Sequence, residues 1–94
     1  MFSTPTQVNY TLDSRNDRTI LELVAADRPG LLSEVGKVFK AEHVTINGAK
    51  IMTVGERAED VFYITDTEGR LLQEEACQRV QDSLVRALDR RDYK

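Results

Sequence analysis

Two stripes of apolar residues at helical spacing, each preceded by extended segments, limit what this chain can fold into. Leu31, Leu32, Val35, Val38 and Phe39 recur at the three-, four- and seven-residue intervals of an amphipathic helix. Leu72, Ala76, Val80, Leu84 and Leu88 repeat at every fourth position, joined by Cys77 and Ala87, and predict a second helix. Ahead of the first stripe, Val8, Tyr10 and Leu12 alternate with Gln7, Asn9, Thr11 and Asp13, the period of a strand with one dry face. After a polar turn, Thr19 to Ala26 carries Leu21, Leu23 and Ala25 in one phase and Ile20 and Val24 in the other, which suits a strand covered on both faces. Between the helices, Val44 to Val54 reads as extended, with a change of phase at Gly48 that predicts a bulge or bend. A turn at Gly55 then leads into Val61-Phe62-Tyr63-Ile64, apolar in both phases.

The order strand, strand, helix, strand, strand, helix predicts an α+β chain: a ferredoxin-like two-layer sandwich with a four-stranded antiparallel sheet and both helices on one face. In such a sheet the strand beside the first core strand usually comes last. Here no strand pattern follows the second helix, so Gln7 to Asp13 is expected to fill that edge, as in a circular permutation. Residues 1–5 are expected to be a disordered lead-in, 6–91 one domain and 92–94 a tail. Pro29 is expected near the first helical position with Glu34 in the first turn, the first helix ending near Glu42 and His43. Arg86, Arg90 and Arg91 suit the negative end of the second helix. On the far side of the sheet, Ile20, Val24 and either Val61 and Tyr63 or Phe62 and Ile64 form an apolar patch. It reads either as a docking face for a second copy or sister domain, or as scattered surface side chains.

Composition narrows the function. A length of 94 residues, 40% hydrophobic and 31% charged, suits one core and excludes a large multi-step enzyme. Thirteen Lys and Arg against 16 Asp and Glu leave a charge of −3, without the basic excess that nucleic acid would attract. One cysteine makes no internal disulfide, and one cysteine with one histidine makes no zinc site. No signal peptide and no apolar run of about 18 residues is present, so the reading is a reduced, cytosolic protein without a membrane segment. No paired base and nucleophile, acidic metal cluster or phosphate loop is visible, so no catalytic residue, metal or cofactor is expected. Cys77 on the apolar stripe reads as core packing in preference to a redox role, and His43 as a helix-terminus residue in preference to a catalytic one. A binding or regulatory module is favoured over an enzyme.

The junction Asp27-Arg28-Pro29-Gly30-Leu31-Leu32 is the most informative stretch. Free N–H groups at a helix start are donors for a small anion, and glycine admits a ligand close to the main chain. The same residues also serve simply to start and cap a helix. This junction, the segment Ile46 to Thr53 and the second helix together resemble an ACT domain, the small ligand-sensing module of amino-acid metabolism. Ala49-Lys50-Ile51-Met52-Thr53, Gly55-Glu56-Arg57 and Asp60-Val61-Phe62-Tyr63-Ile64-Thr65-Asp66 look in particular like the C-terminal ACT domains of the bifunctional uridylyltransferase/uridylyl-removing enzyme family, which modifies the PII signalling protein. The likeness runs from about Val8 to Leu88.

The resemblance implies a sensor in bacterial nitrogen control, excised from a longer nucleotidyltransferase, pairing with a sister ACT domain or a second copy, and binding an effector for which glutamine is the first candidate. It implies a site with Asp27, Arg28, Pro29, Gly30, Leu31 and Leu32 on one side and Thr45, Ile46 and Asn47 of a partner opposite. By that likeness the ligand carboxylate would meet backbone N–H groups at the helix start, its ammonium would need an acceptor such as Asp27 or a carbonyl, and its amide a donor and acceptor pair for which Asn47 is one candidate. A pairing module without ligand, or a sensor of another amino acid, is the alternative. His43 stands where the family usually has a helix-ending glycine and Thr45 where asparagine is common. Histidine tolerates positive φ, whereas threonine lacks the amide.

Overall fold

In a computed structural model that describes residues 5–89, β1 (Gln7–Asp13) pairs antiparallel with β2 (Arg18–Ala26) and occupies one edge of the sheet. After α1 (Leu31–Ala41) come β3 (Thr45–Lys50), the two-residue β4 (Thr53–Val54), β5 (Arg57–Thr65) and α2 (Glu74–Leu88). The sheet order is β1-β2-β5-β3, with β4 also on β5, and every pairing is antiparallel. The edge position of β1 matches its polar alternate residues. Arg90, Arg91, the tail 92–94 and residues 1–4 of the expected lead-in lie outside the described residues. Among the described residues, no helix is long and apolar enough to cross a membrane and no group of three His, Cys, Asp or Glu is placed to hold a metal ion.

The sheet differs from expectation by one strand. Val44 to Val54 does not run as a single strand: pairing with β5 stops after Lys50 and resumes at Thr53. At the break, Met52 N–H turns to the Asp60 carboxylate (3.2 Å) while Met52 C=O accepts from Glu59 N–H (2.9 Å). The expected irregularity at Gly48 is present as a register shift between Ile46 and Gly48. A Cβ on Gly48 would lie 3.4 Å from the Tyr63 ring, an ordinary van der Waals contact.

Thr19, Leu21, Leu23 and Ala25 of β2 and Ala58, Asp60, Phe62 and Ile64 of β5 are buried on the helix side. Against them α1 sets Leu31, Val35 and Phe39, and α2 sets Cys77, Val80, Leu84 and Leu88. Each large apolar side chain buried this way contributes roughly 1.5–3 kcal/mol. Phe39 meets Phe62 edge to face, centroids 5.3 Å apart. The patch on the other face is therefore Ile20, Val24, Val61 and Tyr63, all only half-buried, with the Arg18 guanidinium 4.4 Å above the Tyr63 ring. The exposed large apolar side chains include Ile46, Ile51, Met52 and Val54, along β3, β4 and the break between them.

Both helix ends refine the sequence reading. Pro29 lies one residue before the N-cap, because Gly30 in left-handed conformation (φ 82°, ψ 2°) makes the turn into Leu31. At the other end of α1, His43 adopts φ 59°, its N–H reaches Lys40 C=O (3.1 Å) and Val44 N–H reaches Phe39 C=O (2.9 Å). These two bonds are a Schellman cap with histidine in the glycine position. Leu72 is buried but precedes α2, which starts at Glu74. Asp66 Oδ1 accepts from Glu68 and Arg70 N–H, and Asp17 Oδ1 from Leu71 N–H, holding this loop out of helical conformation.

Candidate functional site

The strand-to-helix loop after β2 is held by its own backbone. Asp27 N–H donates to Glu56 C=O (3.0 Å), tying the loop to the β4–β5 turn, and Leu31 N–H donates to Arg28 C=O (3.2 Å). The helical ladder of α1 starts with Glu34 N–H to Gly30 C=O (3.0 Å), and no side chain caps the helix. The N–H groups of Leu32 and Ser33 therefore stand ahead of the ladder at the positive end of the helix dipole. A Cβ on Gly30 would meet nothing within 4 Å, so glycine is required here by its positive φ and not by crowding.

Leu32 and Ser33, which carry these donors, line a cavity of about 220 Å³. Its loop wall is Asp27, Arg28, Gly30, Leu31, Leu32 and Ser33, and its sheet wall is Ile51, Thr53, Ala58 and Asp60. Five of the six loop residues anticipated from sequence thus line one cavity, and Pro29, exposed, does not. The Arg28 guanidinium is occupied, pairing with Glu34 and donating to Leu88 C=O (3.2 Å) at the end of α2, so it positions the loop. Thr45, Ile46 and Asn47 lie elsewhere. Thr45 is paired with Thr65, Ile46 is exposed, and Asn47 Nδ2 donates to Thr65 Oγ1 (3.0 Å). The loop adjoins the Arg57 end of β5, roughly 26 Å of extended strand away, so a single chain does not bring the two groups together.

Asp60 is the residue the sequence reading passed over. It is 2% exposed, its Oδ1 accepts from Met52 N–H, and Oδ2 has no hydrogen-bond partner among the described residues. Burial pushes its carboxyl above the usual aspartate range; the Met52 N–H opposes this, and the nearby Asp27 charge reinforces it. The signal lay in the alternation Ala58, Asp60, Phe62, Ile64, which puts a carboxylate in the core-facing phase of β5. A wider groove of about 770 Å³ runs between β1 and α2, where Gln81 Nε2 donates to Val8 C=O (2.6 Å), but no unpartnered buried polar atom lines it among the described residues.

The family profile of the ACT domain matches residues 19–90, a span that takes in both walls of the cavity. The chain belongs to the ACT domain family. This ACT domain is 53% identical over 75 residues, 80% of the chain, to a bifunctional uridylyltransferase/uridylyl-removing enzyme of Methylococcus capsulatus. Enzymes of the same name from Pseudomonas entomophila and Pseudomonas fluorescens are 42% and 44% identical over 88 residues, 93% of the chain. The ACT domain spans only 9–10% of the length of these relatives.

Proposed function

We propose that this ACT domain is the regulatory, small-molecule-sensing part of a cytoplasmic PII uridylyltransferase/uridylyl-removing enzyme, with glutamine as its effector. The observation that carries the reading is the uncapped first turn of α1 over the cavity beside Gly30. A ligand carboxylate fits the Leu32 and Ser33 N–H groups, where the helix dipole favours an anion. A volume of about 220 Å³ lies below the roughly 300–1,000 Å³ of drug-sized ligand sites, which suits an amino acid better than a nucleotide. The domain supplies recognition, and catalysis belongs to other parts of such an enzyme: Cys77 is on the buried face of α2, and His43 closes a helix. Control follows if glutamine binds one arrangement of the enzyme better than another, since a ligand shifts an equilibrium only by its differential affinity.

A pairing module without ligand is the second reading. The apolar side chains of Ile46, Ile51, Met52 and Val54 favour it, because they flank an unpaired strand edge. Thermal unfolding of the 94-residue chain with each of the twenty amino acids separates the two. An effector at about 100 times its Kd stabilises the fold by about 2.7 kcal/mol. A response to glutamine above the other nineteen supports the proposal, and a stronger response to another amino acid reassigns the effector. No response to any, with a midpoint that rises with protein concentration, supports the pairing module.

A further inference from the structure

We propose that Asp60 is the second anchor of this cavity, accepting an N–H from an effector whose carboxylate rests on the first turn of α1; the inference builds on the sensing function proposed above. Asp60 occupies a phase of β5 in which Ala58, Phe62 and Ile64 are apolar, and it is as buried as they are. Packing there does not call for a charge. The break at Met52 does not call for one either, since the Met52 N–H uses only Oδ1 and an asparagine oxygen would accept it equally well. What the carboxylate adds is Oδ2, buried and unpartnered among the described residues, on a residue that lines the cavity. A buried carboxylate oxygen without a partner destabilises the free fold, and a ligand N–H that reaches it recovers that loss as binding.

The opposite wall explains why the effector must carry both signs. The Leu32 and Ser33 N–H groups form the positive end of the α1 dipole, whereas the acidic residues Asp60, on the sheet wall, and Asp27, on the loop wall, also line the cavity. A plain anion meets two carboxylates, and a plain cation meets the helix dipole. A molecule with a carboxylate and an N–H donor satisfies both walls, and in glutamine that donor is either the ammonium or the side-chain amide.

The test is calorimetric titration of the 94-residue chain, and of its Asp60→Asn variant, with glutamine, glutaramate (no ammonium) and glutamate (no amide). Asp60→Asn should weaken glutamine about ten- to a hundredfold, the range of a hydrogen bond to a charged group. The analogue that lacks the group held by Asp60 should lose a similar factor on the unaltered chain and little more on the variant. Asp60→Asn binding glutamine within about twofold of the unaltered chain would overturn the proposal while leaving the sensing function intact. Should the variant fold poorly, the unaltered chain alone decides: equal affinity for glutamine, glutaramate and glutamate also overturns it. An unaltered chain that binds no amino acid removes the sensing function and this inference together, a result distinct from both.

Discussion

Gly30 and Gly36 lie six positions apart, and the same substitution should move stability in opposite directions at the two. At neither does an added Cβ meet an atom within 4 Å, so packing contributes nothing and the backbone alone decides the sign. Gly30 sits at φ 82°, where a side chain costs about 1–2 kcal/mol; reduced freedom of the unfolded chain returns about 0.4–1 kcal/mol. Gly30→Ala should therefore destabilise by about 1 kcal/mol. Gly36 lies inside α1, where alanine is favoured over glycine by about 0.5–1 kcal/mol, so Gly36→Ala should stabilise by that amount. For a domain of this size about 1 kcal/mol moves the thermal midpoint by roughly 4–8 °C. Melting curves followed by circular dichroism should place the two variants on either side of the parent, separated by about 10 °C. Gly30→Asn should fall between Gly30→Ala and the parent, because asparagine tolerates left-handed backbone better than alanine. Matching midpoints for Gly30→Ala and Gly36→Ala would refute the assignment of the loop turn to the left-handed conformation of Gly30.

Two further outcomes concern titratable groups. Cys77 is 1% exposed and burial pushes its thiol up, against a weak opposing contact with the Thr19 hydroxyl (3.7 Å). An aromatic disulfide reagent at about pH 8 should label it only as fast as the fold opens, and complete reaction within the mixing time would contradict the packing of α2. Asp13 is held below the ordinary value of 3.8 by Asn16 and Arg18, and Asp17 by Leu71 N–H and Arg70. Their contributions are present above 3.8 and are lost as pH falls through the lowered values. Asp60 acts in the opposite sense: its raised carboxyl adds stability as pH falls through its folded value, a contribution fully present below 3.8. A midpoint-against-pH curve should therefore rise on mild acidification before it falls, and Asp60→Asn should be more stable than the parent near neutrality and lose the rise. A curve of the same shape in both proteins would remove Asp60 as the cause.

Much of this fold is written in periodicity. The alternation of Val8, Tyr10 and Leu12 was enough to place β1, because a half-wet strand needs a sheet edge and the rest of the chain left one edge to fill. The end of α1 near Glu42 and His43 was legible where the apolar stripe stops at Phe39, whereas the glycine-like role of His43 came from the family likeness together with the tolerance of histidine for positive φ. The break at Ile51 and Met52 was not, because it depends on a side chain eight residues further on taking the Met52 N–H away from the ladder. Leu72 misled for the same kind of reason: it carries the helical stripe, yet Asp17, more than fifty residues earlier, fixes the Leu71 N–H in a loop. The loop wall of the cavity could be read locally from Asp27 to Leu32. Its sheet wall was missed, because reading β5 from the apolar run at Val61 leaves Ala58 and Asp60 outside the pattern, although both share the phase of Phe62 and Ile64, and the pairing of Asp60 with Leu23 places that phase on the helix side.

Arg28 gives the loop a mechanical consequence. Its guanidinium pairs with Glu34 on the first turn of α1 and at the same time donates to Leu88 C=O, the last residue of α2. The cavity rim and the last turn of α2 are thus clasped by one side chain, and displacing the rim requires either carrying that turn along or breaking the clasp. Thr6 N–H donates to the Asp89 carboxylate (3.1 Å), so the strand at the sheet edge is fastened to the same corner. The proposed effector beside Gly30 would work at one end of a short lever whose other end is the corner where Thr6 and Asp89 meet.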